Sequence, residues 1–474
     1  MPLILGAQSA VGTGDLVTNS CRFNNGDSPY FSSDFTGTGS SSAAIATYSF
    51  WIKLALEDTR ATLISGKDDT SNYMKVRLAD DGAGWYFAIY GISPACDLRS
   101  AKILRDPSAW YHVVMAFDTG QAVDTDRIKV WINGGQITIW DTATYLAQND
   151  ELFLTKCDDL EIGSYNNTEH FDGYMAEVVC IDGTAYDADD FGEYDSDSPN
   201  IWKPKDVSGL TFGTKGYYLN FKDSAALGDD ASGNNNDFTE NNIAAIDQCT
   251  DTPQNNFCTM NNLGYSSTGF TIQEGNTYIS AVADTASYTI YGTMAVLTGK
   301  WYWEAKAVTV DSASYRHSHG IGDVAYAVQA SAGEAGDETN AWTYGNAGGY
   351  KTGGSGGQES SDYLSYATGD ILSFALDCDN AKLYLRKNGD WQKSGDPTSG
   401  ATGTGAISIT ANVTYAPAFV MRYAANQVAA NFGNPSYTNP SDDEADENGY
   451  GKFAYSVPSG YLAICTKNLG SDGG

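Results

Sequence analysis

The chain has four histidines, His112, His170, His317 and His319. Only the last two fall close together, in "RHSHGIG", where a spacing of two puts both rings on one face of a strand. Such a pair could hold a metal ion or simply occupy a loop edge. No HExxH occurs, so the common zinc-hydrolase pattern is missing. "GGSGG" (Gly353–Gly357) matches GxSxG in form. A nucleophile elbow needs a strand before the serine and a helix after it, and this serine lies in a run of glycines. Glycoside hydrolysis needs two carboxylates about 5–9 Å apart. Glu177, in "FDGYMAEVVCIDG", is followed by Val-Val-Cys, with no carboxylate two residues on. The chemistry on offer is therefore binding, and the chain is expected not to be an enzyme.

Residues suited to binding are more abundant. Tyr315 and His317 precede "GIG", Trp342 and Tyr344 lie in "NAWTYGNAGGY", and Trp391 follows Asn388-Gly389. Aromatic side chains at a loop end offer large contact area at low entropic cost and stack on sugar rings or peptide planes. We take these five as candidate ligand contacts; for Trp342 and Tyr344 the competing reading is a place in the core. The eight cysteines form no CxxC pair, which disfavours structural zinc. Cys180 and Cys378 sit in strand-like runs and read as small core residues, while Cys249 and Cys258 flank a loop and could bridge.

The elements that must position these residues are strands. In "DRIKVWINGGQITIW", Ile128, Val130 and Ile132 alternate with polar or aromatic neighbours up to Asn133-Gly134. "DILSFALDCDNAKLYLRKNGDW" repeats the scheme, with Leu372, Phe374 and Leu376 in one strand, Leu383 and Leu385 in the next, and a turn at Asn388-Gly389. Asn-Gly accepts the positive φ angles of a type I′ turn, so each segment predicts a hairpin with one inward face. The two turns lie about 255 residues apart, which indicates two tandem β-sandwiches rather than a short repeat. The expected fold class is all-β. The expected division is an arm at 1–20, a sandwich at 21–186, a connector or extension of it at 187–264, and a second sandwich at 265–474. The apolar start "MPLILG" suggests that the arm docks on a neighbouring subunit.

Composition agrees. Charged residues make up 18%, while Gly (51) and Tyr (31) are frequent, which suits short strands and many turns. Asp and Glu outnumber Lys and Arg 59 to 27, a formal net charge of −32. Phosphate backbones and anionic membranes repel such a surface, so neither nucleic-acid binding nor membrane insertion is expected. The opening residues show no basic region followed by a long apolar run, so we expect no secretory signal and synthesis in a reducing cytosol.

Several stretches resemble known families. "GKWYWEAKA", "HGIGDV", "TYGNAGGYKTGG", "PAFVMRYAANQVAANFG" and "PSGYLAI", together with the second hairpin, make residues 265–467 resemble a SPRY domain. This implies a bent antiparallel sandwich that binds partners through loops at one end. "SFWIKL", "WYHVVMAFD", "IKVWINGGQI" and "DGYMAEVVCIDGTAYDADDFGEYD" make the first half resemble a concanavalin A-like module of laminin-G or pentraxin type. Such modules often bind calcium through loop carboxylates; here Asp229, Asp230 and Asp237, or Asp68 and Asp69, could serve, without EF-hand spacing. The competing reading is a solvated acidic loop. Residues 165–262 are similar to a stretch common in virion proteins of marine tailed bacteriophages, of tail-fibre, receptor-binding or capsid-surface type. That resemblance implies a virion surface protein assembled in the host cytoplasm. Its partners would be other virion proteins and a host surface glycan or protein, with a homo-oligomer, a trimer by preference. The leading expectation is non-enzymatic host adhesion. The alternatives are a purely structural decoration or fibre subunit, and a glycan-processing enzyme.

Overall fold

A computed structural model of the chain describes residues 15–34, 43–55, 60–80, 82, 84–263, 269–282, 287–311, 317–327, 339–352, 358–360, 362–441 and 443–472. The chain folds as two compact units that meet in sequence between Gln254 and Asn255. Among the described residues, α-helix is limited to the short segments Val324–Ala327 and Thr466–Asp472. Neither is long and apolar enough to cross a membrane.

The first unit starts with β1 (Ser20–Phe23), β2 (Tyr30–Ser33), β3 (Ile45–Leu54), β4 (Arg60–Lys67), β5 (Tyr73–Asp80) and β6 (Trp85–Gly91). Then come β7 (Cys96–Leu104), β8 (Trp110–Asp118), β9 (Ile128–Ile132), β10 (Gly135–Gln136), β11 (Trp140–Thr144) and β12 (Asp159–Ile162). It closes with β13 (Gly173–Asp182), β14 (Gly192–Tyr194), β15 (Trp202–Pro204), β16 (Tyr217–Leu219), β17 (Thr239–Asn241) and β18 (Gln248–Cys249). One sheet runs β10-β9-β8-β3-β13-β1-β18, with β16 also on β13; the other runs β11-β7-β6-β5-β4-β12-β2-β17. Alternate residues of both sheets meet in one core. Ile128, Val130 and Ile132 enter it together, as their spacing predicts, opposite Met74, Val76 and Leu78 of the other sheet's β5. Residues 187–254 are built into this unit: β16 pairs β13, β17 pairs β2 and β18 pairs β1. Residues 1–14 of the expected arm lie outside the described residues; Val17 is buried against Trp51, Trp110 and Tyr174.

The second unit begins with β19 (Phe270–Gln273), β20 (Tyr278–Ala281), β21 (Tyr288–Tyr291), β22 (Lys300–Thr309) and β23 (His317–Asp323). β24 (Trp342–Gly345), β25 (Gly349–Thr352), β26 (Gln358–Ser360), β27 (Ile371–Asp377) and β28 (Lys382–Lys387) follow. The last are β29 (Asp390–Trp391), β30 (Ile407–Ser408), β31 (Tyr415–Met421), β32 (Gln427–Asn431) and β33 (Leu462–Ala463). Its sheets run β19-β20-β32-β22-β27-β28-β29 and β21-β31-β23-β24-β25-β26. Pairing is antiparallel except for β33 beside β22. Trp301 and Trp303 of β22 point inward with Leu372, Phe374 and Leu376 of β27, and Trp303 stacks on Phe374 at 5.3 Å.

Both Asn-Gly hairpins form, with φ of 52° and 75° at Asn133-Gly134 and 47° and 92° at Asn388-Gly389. Each lies at a sheet edge, where the turn leads into a strand of only two residues, β10 or β29.

Candidate functional site

In the first unit, the sheet built on β4–β7 turns one set of alternate side chains to the core and the other outward. Register then defines rows across the outer face. Thr62, Arg77, Ala88, Arg99 and Thr142 are successive cross-strand neighbours. The next row holds Glu161, Ser65, Lys75, Tyr90 and Asp97. The loop after β12 folds over this second row and adds Tyr165 and Glu169.

Three tyrosines line the place where the loop meets the strands. The Tyr73 ring is 4.9 Å from that of Tyr165 and 6.1 Å from that of Tyr90. The Lys75 ammonium lies 4.2 Å from the Tyr165 ring centre, and the Arg77 guanidinium 5.1 Å from that of Tyr90. Lys75 also donates to Glu169 at 2.8 Å, while Arg60 approaches the other Glu169 oxygen at 3.8 Å. Burial raises the Glu169 carboxyl, but the hydrogen bond and charge of Lys75 outweigh it and hold the group below its ordinary range. Lys75 is lowered too, by burial first, with Arg77 and Arg60 adding to the repulsion. Burial pushes Tyr73 up to about 12. Tyr73, Lys75 and Arg77 are buried beneath this arrangement, while Tyr90, Tyr165 and Glu169 stay half-buried, so the last three present the ring surface and polar groups that a flat ligand could meet.

Serine and histidine do meet elsewhere in this unit. His112 Nε2 lies 2.8 Å from Ser49 Oγ, and the Trp202 indole N–H donates to His112 Nδ1 at 2.8 Å. Trp202 therefore fixes the neutral tautomer with its proton on Nε2, where it is donated to Ser49. A general base needs the reverse arrangement. The imidazole is stacked on Trp51 at 4.4 Å, and burial lowers its pKa to about 3. This cluster is structural.

The residues singled out from sequence fall differently. His317 and His319 share a strand face, but His319 Nε2 lies 2.9 Å from His317 Nδ1, and His317 Nε2 3.2 Å from the Gln427 carbonyl. Their facing nitrogens are spent on each other in the core, so neither a metal pair nor a surface contact forms. Trp342 and Tyr344, 7% and 1% exposed, are core residues as well. β24 lies inside its sheet, so the aromatics of "NAWTYG" have neighbours on both sides. Trp391 is half-buried on the edge hairpin, its ring 5.1 Å from the Arg386 guanidinium carbon. Tyr315 and the GGSGG run lie outside the described residues.

The calcium candidates are occupied by donors from the protein. Asp230 accepts from the backbone N–H groups of Tyr218, Ser232 and Asn236 and from the Ser232 hydroxyl. Asp237 accepts from the Asp230 N–H, and Asp229 is exposed. Asp69 caps its own turn through Ser71 and Asn72, and Asp68 accepts from the Asp158 N–H. The described residues hold no group of three or more His, Cys, Asp or Glu side chains that could bind a metal. None of the eight cysteines is in a disulfide, so Cys249 and Cys258 are not bridged. The outer-face residues were legible in part: "YMKVRLAD" alternates Tyr73, Lys75 and Arg77 against Met74, Val76 and Leu78. Glu169 and Tyr165 carry no such signal.

Residues 25–188 match the concanavalin A-like lectin/glucanases superfamily. The first unit thus has a concanavalin A-like lectin fold, of the group the laminin-G resemblance implied. Among solved structures the chain is similar to the SPRY domain of human HERC1, at 15% identity, over 34% of this chain and 91% of that one, with a TM-score of 0.27. It is also similar to domain 4 of AbnA, a GH43 extracellular arabinanase from Geobacillus stearothermophilus solved with arabinotriose. That match has 21% identity over 38% of this chain and 78% of that one, with a TM-score of 0.27. No curated protein matches the chain.

Proposed function

We propose that this chain is a non-enzymatic adhesion protein on the surface of a tailed-phage type virion, and that its first unit meets a host-surface glycan on the outer face of β4–β7. The observation that carries the reading is the grouping of Tyr73, Tyr90 and Tyr165 around Lys75, Arg77 and Glu169 on a lectin-type sheet. Rings offering a flat apolar surface beside fixed polar groups suit a sugar, which has apolar ring faces and hydroxyl rims. The virion assignment rests on the resemblance of residues 165–262, and with it go assembly in the host cytoplasm, other virion proteins as partners, and a trimer.

The non-enzymatic reading draws on the carboxyls. Glu169 is held ionised by Lys75, and a glycosidase acid must hold a proton. The carboxyls raised to about 7 by burial, Glu177 and Glu304, belong to different units, and each is nearly enclosed. Adhesion is tested by adding the purified chain to host cells. Tyr90→Ala and Tyr165→Ala should weaken attachment about tenfold or more, with melting temperatures near that of the parent. Trp391→Ala, on the second unit, should attach as the parent does. Undiminished attachment of both tyrosine variants would return the ligand to the loops of the second unit.

A further inference from the structure

The outer face of β4–β7 has the opposite charge balance from the chain around it. With the loop and strand beside it, the face carries five cations, Arg60, Lys67, Lys75, Arg77 and Arg99, against four carboxylates, Asp97, Asp159, Glu161 and Glu169, in a chain of formal net charge −32. Glu169 serves Lys75 and Arg60, and Asp97 serves Arg99 at 3.3 Å. Arg77 has neither an ion pair nor a hydrogen bond among the described residues. It is 7% exposed, and its Nε is buried without a partner. A buried donor left unsatisfied costs stability, more so on a cation beside two others. The Nε is enclosed and out of a ligand's reach, so a ligand on the face can meet only the remainder of this guanidinium.

Register shows where that ligand would lie. Arg77 and Arg99 are both cross-strand neighbours of Ala88, on the two sides of β6. Strands lie about 4.8 Å apart, so the two arginines stand about 10 Å apart along one row with the smallest side chain of the row between them. Thr62 and Thr142 continue the row on either side. The Tyr90 ring lies beside it, 5.1 Å from the Arg77 guanidinium. Guanidinium groups present paired N–H donors that match the two oxygens of a carboxylate or the oxygens of a sulfate ester.

We propose that this row is an acid-recognition subsite and that the ligand of the face is a polyanionic saccharide, bearing uronate carboxylates or sulfate esters. The proposal rests on the reading of this face as a glycan site and names the class of glycan. It gives the charge of the face a role in specificity: the hydroxyls of a neutral sugar can accept from Arg77 but leave its charge without a counter-ion, whereas an acidic sugar supplies one.

The test is calorimetric titration of the full chain with three oligosaccharides of equal length: oligogalacturonate, a sulfated galactan and a neutral galactan. At least one acidic oligomer should bind about tenfold or more tightly than the neutral one, and the two acidic arms show which anion is preferred. That affinity should fall as NaCl rises from about 0.05 M to about 0.5 M. Arg77→Gln should remove most of the preference. Arg99→Gln, at a side chain 41% exposed, should do so in part, and keeps the test sound if the first variant folds poorly. Equal affinity for neutral and acidic oligomers, or an acidic preference unchanged in both variants, overturns the proposal and leaves the glycan reading standing. Failure of all three to bind also overturns it, and attachment of Tyr90→Ala to host cells then decides whether the wider reading falls too.

Discussion

Glu304 is fully buried and accepts from four donors: Ala454 N–H at 2.8 Å, Tyr455 N–H at 3.1 Å, Asn431 Nδ2 at 3.1 Å and Tyr302 OH at 2.8 Å. It thereby pins the C-terminal segment onto β22. Burial pushes its carboxyl up to about 7 against the pull of those donors. Between its ordinary value and 7 the folded protein keeps a proton that the unfolded chain has lost. Stability from this group is therefore complete at low pH and declines as pH rises through 7. Denaturation at a series of pH values should show that decline, at no more than about 1.4 kcal/mol per pH unit for one group. Glu304→Gln should flatten it and also lower stability throughout, because an amide turns an NH2 toward one of the two backbone donors. An unchanged slope in that variant would place the titration elsewhere, with Glu177, which burial raises to about 7, as the next candidate. Nothing in "GKWYWEAKAV" announces this role, since the donors at Ala454 and Tyr455 come from about 150 residues downstream.

At the scale of elements, the two hairpins share a device. Asn133 N–H donates to the His112 carbonyl, and the Asn133 side chain accepts from the His112 N–H at 2.7 Å. Asn388 does the same with Ile371, accepting at 2.8 Å. Asparagine in the turn thus satisfies both groups of a residue on the neighbouring strand while holding a left-handed backbone. Asn388→Gly keeps the φ and loses the side-chain bond, at a cost of about 1 kcal/mol. Asn388→Ala loses the bond and strains the backbone, at a cost of about 2–3 kcal/mol. Urea midpoints of the two variants separate these contributions, and equal losses would show that strain contributes nothing. The hairpins were legible because Asn-Gly acts through its own backbone. Their edge position was not, since it depends on what else pairs.

Across the whole molecule, the dominant quantity is a formal net charge of −32. Self-repulsion of that size weakens the folded state, and salt screens it. The melting temperature should therefore rise with NaCl toward about 0.5 M, over the range in which affinity for an acidic saccharide falls. A flat melting curve over that range would mean that local pairs such as Lys53–Asp251, at 2.6 Å and fully buried, neutralise what matters.

The all-β class, the two hairpins and the inward rows Ile128-Val130-Ile132 and Leu372-Phe374-Leu376 were legible in the chain alone, because period-two alternation and turn chemistry are properties of adjacent residues. Which aromatics stay at the surface and which are core depends on tertiary packing. Trp342 and Tyr344 sink because β24 gains neighbours on both sides, and Tyr90 stays half-exposed because the outer face of β6 is only partly covered. Bulges such as those at Thr62/Ile64 and Ala176/Val179 shift the alternation, so which residues of a strand face outward is settled by pairing. The candidate face itself joins Lys75 to Glu169, 94 residues apart, and a polar group has no way to signal a partner that only folding brings within 2.8 Å.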